Sequence, residues 1–61
     1  MWTRINNVWH FLPVPGVVVA PWRGKWTAFL GNMPMREIER SSASEDVKRK
    51  VWECFDNRVN L

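Results

Sequence analysis

Val17-Val18-Val19-Ala20-Pro21-Trp22-Arg23-Gly24-Lys25-Trp26-Thr27-Ala28-Phe29-Leu30 is the stretch that decides the fold. Its first part is a β-branched run that follows the breaker Pro13-Val14-Pro15-Gly16, and such a run reads as a strand. Its last part alternates. Trp26, Ala28 and Leu30 share one face and Lys25, Thr27 and Phe29 the other, the period-2 pattern of a half-buried strand. Arg23-Gly24 between them supplies a hairpin turn.

Toward the C-terminus, Gly31-Asn32 makes the next turn. Met35 to Arg40 reads as a third strand, with Arg36, Ile38 and Arg40 on one face and Met35, Glu37 and Glu39 on the other. Met, Arg and Glu favour helix, and Pro34 could start one. Strand is preferred because one hairpin and one helix make a poor core. Ser42-Ala43-Ser44-Glu45 fits a capping box with Ser42 as N-cap and Glu45 at the third helical position. Beyond it, Ala43, Val47, Val51, Cys54 and Phe55 form one helical stripe, with Trp52 at its edge. Glu45–Arg49 and Asp46–Lys50 have the four-residue spacing of helical ion pairs. Acids open this helix and Arg58 closes it, which suits the macrodipole. The predicted helix runs from about 43 to 57.

Toward the N-terminus, Trp2 to Ile5 and Val8 to Leu12 could form a hairpin around Asn6-Asn7. The expected fold is therefore α+β: a small three-stranded antiparallel sheet, with or without an N-terminal hairpin, packed on one C-terminal helix. One small domain spans 1–61, divided into an arm or hairpin at 1–16, a sheet at 17–40 and a helix at 43–57. A five-stranded SH3-like barrel with a terminal helix is the alternative. Val47, Val51, Cys54 and Phe55 are expected to face Trp26, Ala28, Leu30 and alternate valines of 17–19.

With 61 residues the chain buries a thin core, which argues against a deep, fully assembled active site. Its 46% hydrophobic fraction and five Trp exclude disorder by composition. The net charge of +3 is unevenly placed. Residues 1–35 hold Arg4, Arg23 and Lys25 and no acid, whereas residues 36–61 hold six bases and six acids. One cysteine excludes an internal disulfide, and no Cys/His set is present to hold zinc. A lone thiol suits a reduced compartment, so a cytoplasmic location is expected. The apolar stretch Val8 to Ala20 is broken by His10, Pro13, Pro15 and Gly16. It is too short for a membrane span and has the wrong flanks for a signal peptide. No membrane partner and no cofactor are expected.

Catalytic groups are sparse. His10 lies between Trp9 and Phe11 and reads as a strand histidine with one face against the core. Cys54 lies on the core stripe of the helix and reads as a small hydrophobe. Glu37 and Glu39 share a face but have no cleft. No Gly-rich phosphate loop appears, so the expectation is a binding protein and not an enzyme. The binding candidates cluster in Trp22, Arg23 and Lys25, where two cations sit beside indole rings at one turn. Arg and Lys neutralise phosphates and Trp packs on sugars or bases. Arg36 and Arg40 would extend the positive stripe across the third strand. Trp26 alternates with Ala28 and Leu30 and reads as core.

Pro21-Trp22-Arg23-Gly24-Lys25-Trp26-Thr27-Ala28-Phe29-Leu30 resembles the strand-turn-strand core of the plant ethylene-response, GCC-box-binding domain. It is similar too to the N-terminal arm-binding domains of phage-type tyrosine integrases. Ser42 to Val47 resembles the start of the family's helix. That resemblance implies a three-stranded sheet on one helix that reads DNA with the sheet. Trp22 and Arg23 would face DNA, and Trp26 would be structural. The family carries arginines on its first strand, where this chain has Val17-Val18-Val19-Ala20. A second resemblance, to HicB-type antitoxin N-terminal domains, covers the same stretch together with Asn32-Met33-Pro34 and the capped helix. It implies a β-β-β-α order and a toxin partner, although the small residues of that family's third strand are missing here.

Two functions follow as expectations. The first is a non-catalytic module that binds double-stranded DNA through Trp22, Arg23, Lys25, Arg36 and Arg40. The second is a phage-type or antitoxin-like protein that binds and inhibits a host or toxin protein, anchored by Trp2, Trp9 and Trp22. An exposed sheet edge could also pair two copies as a homodimer.

Overall fold

A computed structural model describes the backbone of residues 1–59 and the side chains of residues 1–56. The expected role of Arg58 in closing the helix lies outside the described side chains. Five strands precede one helix: β1 (Trp2–Ile5), β2 (Val8–Phe11), β3 (Val17–Trp22), β4 (Lys25–Leu30), β5 (Met33–Pro34) and α1 (Ser44–Val59). The fold is α+β. Its sheet is an antiparallel meander in the order β1-β2-β3-β4-β5, with five strands where three were expected. β1 and β5 lie at opposite ends of that order, so the sheet is open and not a barrel. Among the described residues no helix is long and apolar enough to cross a membrane.

The turns explain the meander. Asn6 and Asn7 take φ of 50° and 64°, the left-handed pair that a two-residue hairpin loop of type I′ requires. Arg23 and Gly24 repeat the device with φ of 53° and 81°. Glycine adopts this conformation freely, whereas for arginine it costs about 1–2 kcal/mol. The N-terminal hairpin then joins the sheet because Trp9 and His10 pair with Val19 and Val18.

The expected strand from Met35 to Arg40 is not formed. Met33 and Pro34 pair with β4, the Met35 N–H still donates to the Ala28 carbonyl at 2.8 Å, and the chain then turns, with the Ile38 N–H donating to the Met35 carbonyl at 3.1 Å. The cause is burial. Met35 and Ile38 both enter the core, at 5% and 4% exposure. They stand three residues apart, and a strand would point them to opposite faces. The chain returns to β4 at Ser41, which forms an isolated bridge with Trp26.

The helix starts one residue later than expected, and its cap differs. Ser41, not Ser42, engages the helix entry: its Oγ accepts from the Ala43 N–H just ahead of the helix at 3.1 Å and donates to the Asp46 carboxylate at 3.1 Å. The expected four-residue ion pairs are replaced by three-residue ones, Glu45–Lys48 at 3.0 Å and Asp46–Arg49 at 3.5 Å. Lys50 instead reaches Glu39 across the turn at 3.3 Å.

α1 covers one face of the sheet. Val47 and Val51 are fully buried there with Val17, Val19 and Ala28, joined by Phe11, Met35 and Ile38. Trp26, Cys54 and Phe55 pack against this core as half-buried neighbours. Leu30 departs from the expected core and is 48% exposed at the end of β4. Strand register puts Trp22, Lys25, Thr27 and Phe29 on the opposite, helix-free face, with Val18, Ala20 and His10.

Candidate functional site

On the β2 side the tip of the β3–β4 hairpin extends past the sheet, while on the other side Ser41 still bridges Trp26. β2 pairs with β3 only at Val18 and Val19, so Ala20 to Trp22 extend past it. On this tip the Trp22 ring stands on the helix-free face, 37% exposed. It meets Phe29 edge-to-face, with centroids 5.9 Å apart and planes at 77°. Two guanidinium groups lie over the same indole: Arg23 at 4.6 Å from the ring centroid and Arg40 at 5.2 Å. Such contacts contribute roughly 0.5–1 kcal/mol each when exposed.

Arg40 and Arg23 play different parts there. The Arg40 Nε donates to Thr27 Oγ1 at 2.9 Å. Its Nη2 donates to the Trp22 carbonyl and, at 3.0 Å, to the Arg23 carbonyl. Arg40 therefore ties down the turn in which Arg23 holds its costly positive φ. It also satisfies the hydroxyl of Thr27, which is 2% exposed. Arg23, Lys25 and Arg36 have no ion pair or side-chain hydrogen bond among the described residues. Their donors are open to a ligand.

A groove of about 720 Å³ runs between the tip and the turn after β5, lined by Trp22, Lys25, Thr27, Pro34, Met35, Arg36, Ile38, Glu39 and Arg40. Four of the five candidate residues thus line one groove, and the fifth, Arg23, is stacked on its Trp22 wall. They assemble by a different route from the one the alternation implied. Arg36 is exposed on a turn, and Arg40 folds back onto Trp22. Glu39 is the acid of the lining, and Lys50 holds its carboxylate. The groove therefore brings the cationic Lys25, Arg36 and Arg40 together with the apolar Pro34, Met35 and Ile38.

Trp2 and Trp9, the expected protein anchors, lie on the helix side and are engaged within the molecule. Lys48 Nζ sits 3.6 Å from the Trp9 ring centroid and 5.9 Å from that of Trp2. Arg4 lies over Trp9 as well, at 5.4 Å. The Lys48 side chain is only 12% exposed, whereas that of its neighbour Arg49 is 65% exposed. The sequence signal was faint but present: Lys48 follows Val47 on the edge of the buried stripe, four residues before Trp52.

No protein-family model, curated protein or solved structure matches this chain.

Proposed function

We propose that this chain is a non-catalytic module that binds duplex DNA through the tip of the β3–β4 hairpin. The observation that supports it is the set of open cations Arg23, Lys25 and Arg36 around a groove whose lining acid is held by Lys50. A two-stranded ribbon fits the major groove, about 12 Å wide. With the tip inserted, Arg23 and Lys25 meet phosphates or base edges, and Arg36 meets the flanking backbone. Arg40 keeps the turn in shape and offers its remaining amino group.

Duplex is preferred to single strand for a physical reason. Single-strand binders stack bases on open aromatic faces. The Trp22 ring already carries two guanidiniums, and Trp9 carries Lys48 and Arg4. At Trp22 and Trp9 a base stacking on a cation-covered face would displace that cation, whereas a phosphate needs the cations where they are. The protein-inhibitor alternative loses Trp2 and Trp9 as open anchors by the same contacts.

The test is a titration of the purified protein with mixed duplex DNA across a range of salt. Arg23→Ala combined with Lys25→Ala is expected to lower the slope of log affinity against log salt by about 2. An unchanged slope removes both residues from the interface. An absence of binding to any duplex at low salt removes the reading itself.

A further inference from the structure

A second concavity lies away from the hairpin tip, near the C-terminal end of α1. It has a volume of about 240 Å³ and is lined by Phe11, Pro13, Val14, Trp52, Phe55 and Asp56. Phe11 forms its aromatic floor, with Trp52 edge-on at 5.5 Å and Phe55 tilted at 5.6 Å. Trp52 is 47% exposed. Four residues on, one helical turn away, stands the Asp56 carboxylate.

Trp52 differs from the exposed Trp22 and the half-buried Trp2 and Trp9, and shares with the half-buried Trp26 the lack of a cation among the described residues. Trp22 carries Arg23 and Arg40, Trp9 carries Lys48 and Arg4, and Trp2 carries Lys48. Among the described residues Trp52 carries no cation, and Asp56 has no ion pair. An acid in the last turns adds to the negative end of the helix macrodipole. Aromatic faces and a carboxylate favour a positive charge, while the apolar walls favour a hydrocarbon body. The cavity is smaller than the roughly 300–1,000 Å³ of a typical small-molecule site, so it holds one side chain and not a whole ligand.

We propose that the Phe11–Trp52–Phe55 cavity takes an arginine side chain of a basic polypeptide partner, its guanidinium over Trp52 and paired with Asp56. Arginine stacks on indole and pairs with carboxylate through one planar group, which a lysine ammonium does not match. The site is independent of the DNA reading, since it shares no residue with the hairpin groove.

The test follows the indole N–H signal of Trp52 by NMR, using full-length protein and a short acetylated, amidated Gly-Arg-Gly peptide. A saturable shift is expected. The same peptide with norleucine in place of arginine is expected to bind about fivefold or more weakly, the combined size of an exposed cation–π contact and an exposed ion pair. Asp56→Asn should weaken the arginine peptide about threefold without loss of fold, because removing an acid near the helix C-terminus eases the macrodipole. Trp52→Leu should abolish the preference for arginine over norleucine, read on the Phe55 amide. Equal binding of norleucine and arginine overturns the proposal and leaves a purely apolar groove. No saturable shift overturns it outright. A Trp52 shift that grows with protein concentration alone, without peptide, makes the occupant a second copy and overturns it too.

Discussion

Two places in this molecule put a cation on an indole, and they differ in burial and in whether an acid holds the cation. At the seam between β1–β2 and α1, Lys48 lies over Trp9 with a side chain 12% exposed, and Glu45 binds its ammonium. At the hairpin tip, Arg23 lies over Trp22 on an exposed surface with no acid attached. The contact is of one kind in both. Burial makes the first a clamp that holds the N-terminal hairpin to the helix. Exposure leaves the second with donors to give away. The lesson is that a cation–indole pair is a binding feature only where the cation's other donors are unspent.

The widest gap between the two places should appear on truncating each indole. Trp9→Ala is expected to cost about 3 kcal/mol, near the low end for a large aromatic because the ring is only half-buried. Trp22→Ala should cost less, about 1.5–2 kcal/mol, since that ring is more exposed and loses mainly its two cation contacts and its Phe29 contact. Urea denaturation of both variants measures the difference, and equal costs would erase the distinction between clamp and tip.

A finer comparison removes charge and keeps packing. Lys48→Met retains an unbranched stem against Trp9 and Trp2 and deletes the ammonium. The expected loss is about 1–2 kcal/mol, as for a partly desolvated cation–π contact. Amide exchange should rise first in β1 and β2, and uniform acceleration across the sheet would assign Lys48 to the common core instead.

The smallest effect has the opposite sign. Arg23→Gly relieves a side chain held at φ 53°, so stability is expected to rise by up to about 1 kcal/mol. Duplex affinity should fall at the same time. A gain in both, or a loss in both, would contradict the division of labour between Arg23 and Arg40.

Much of the fold is legible in the sequence because its signals are local. The run 17–22, the turn at Arg23-Gly24 and the alternation of 25–30 each follow from neighbouring residues. So does the stripe Val47, Val51, Cys54. The turn at 35–40 is not legible in this way. Alternation and burial compete there, and burial of Met35 with Ile38 depends on where α1 docks. The fate of Arg40 is hidden for a related reason. Two of its three hydrogen bonds go to the Trp22 and Arg23 carbonyls, and backbone acceptors leave no trace in residue type. The clustering of Trp22, Arg23 and Lys25 at one turn needed no tertiary knowledge. Their meeting with Arg36 and Arg40 around one groove did.

The order of the sheet has a kinetic consequence. Every strand pairs with the one before it, through connections of two residues at three of the four joints. Closing such short loops costs little chain entropy. Topologies built from near-neighbour contacts cross their folding barrier quickly. The sheet can therefore zip from the β3–β4 hairpin outward, leaving α1 to dock on a platform already made. Changes on the Val47–Val51 stripe would then act mainly on the rate of unfolding, and changes in the Arg23-Gly24 turn on the rate of folding.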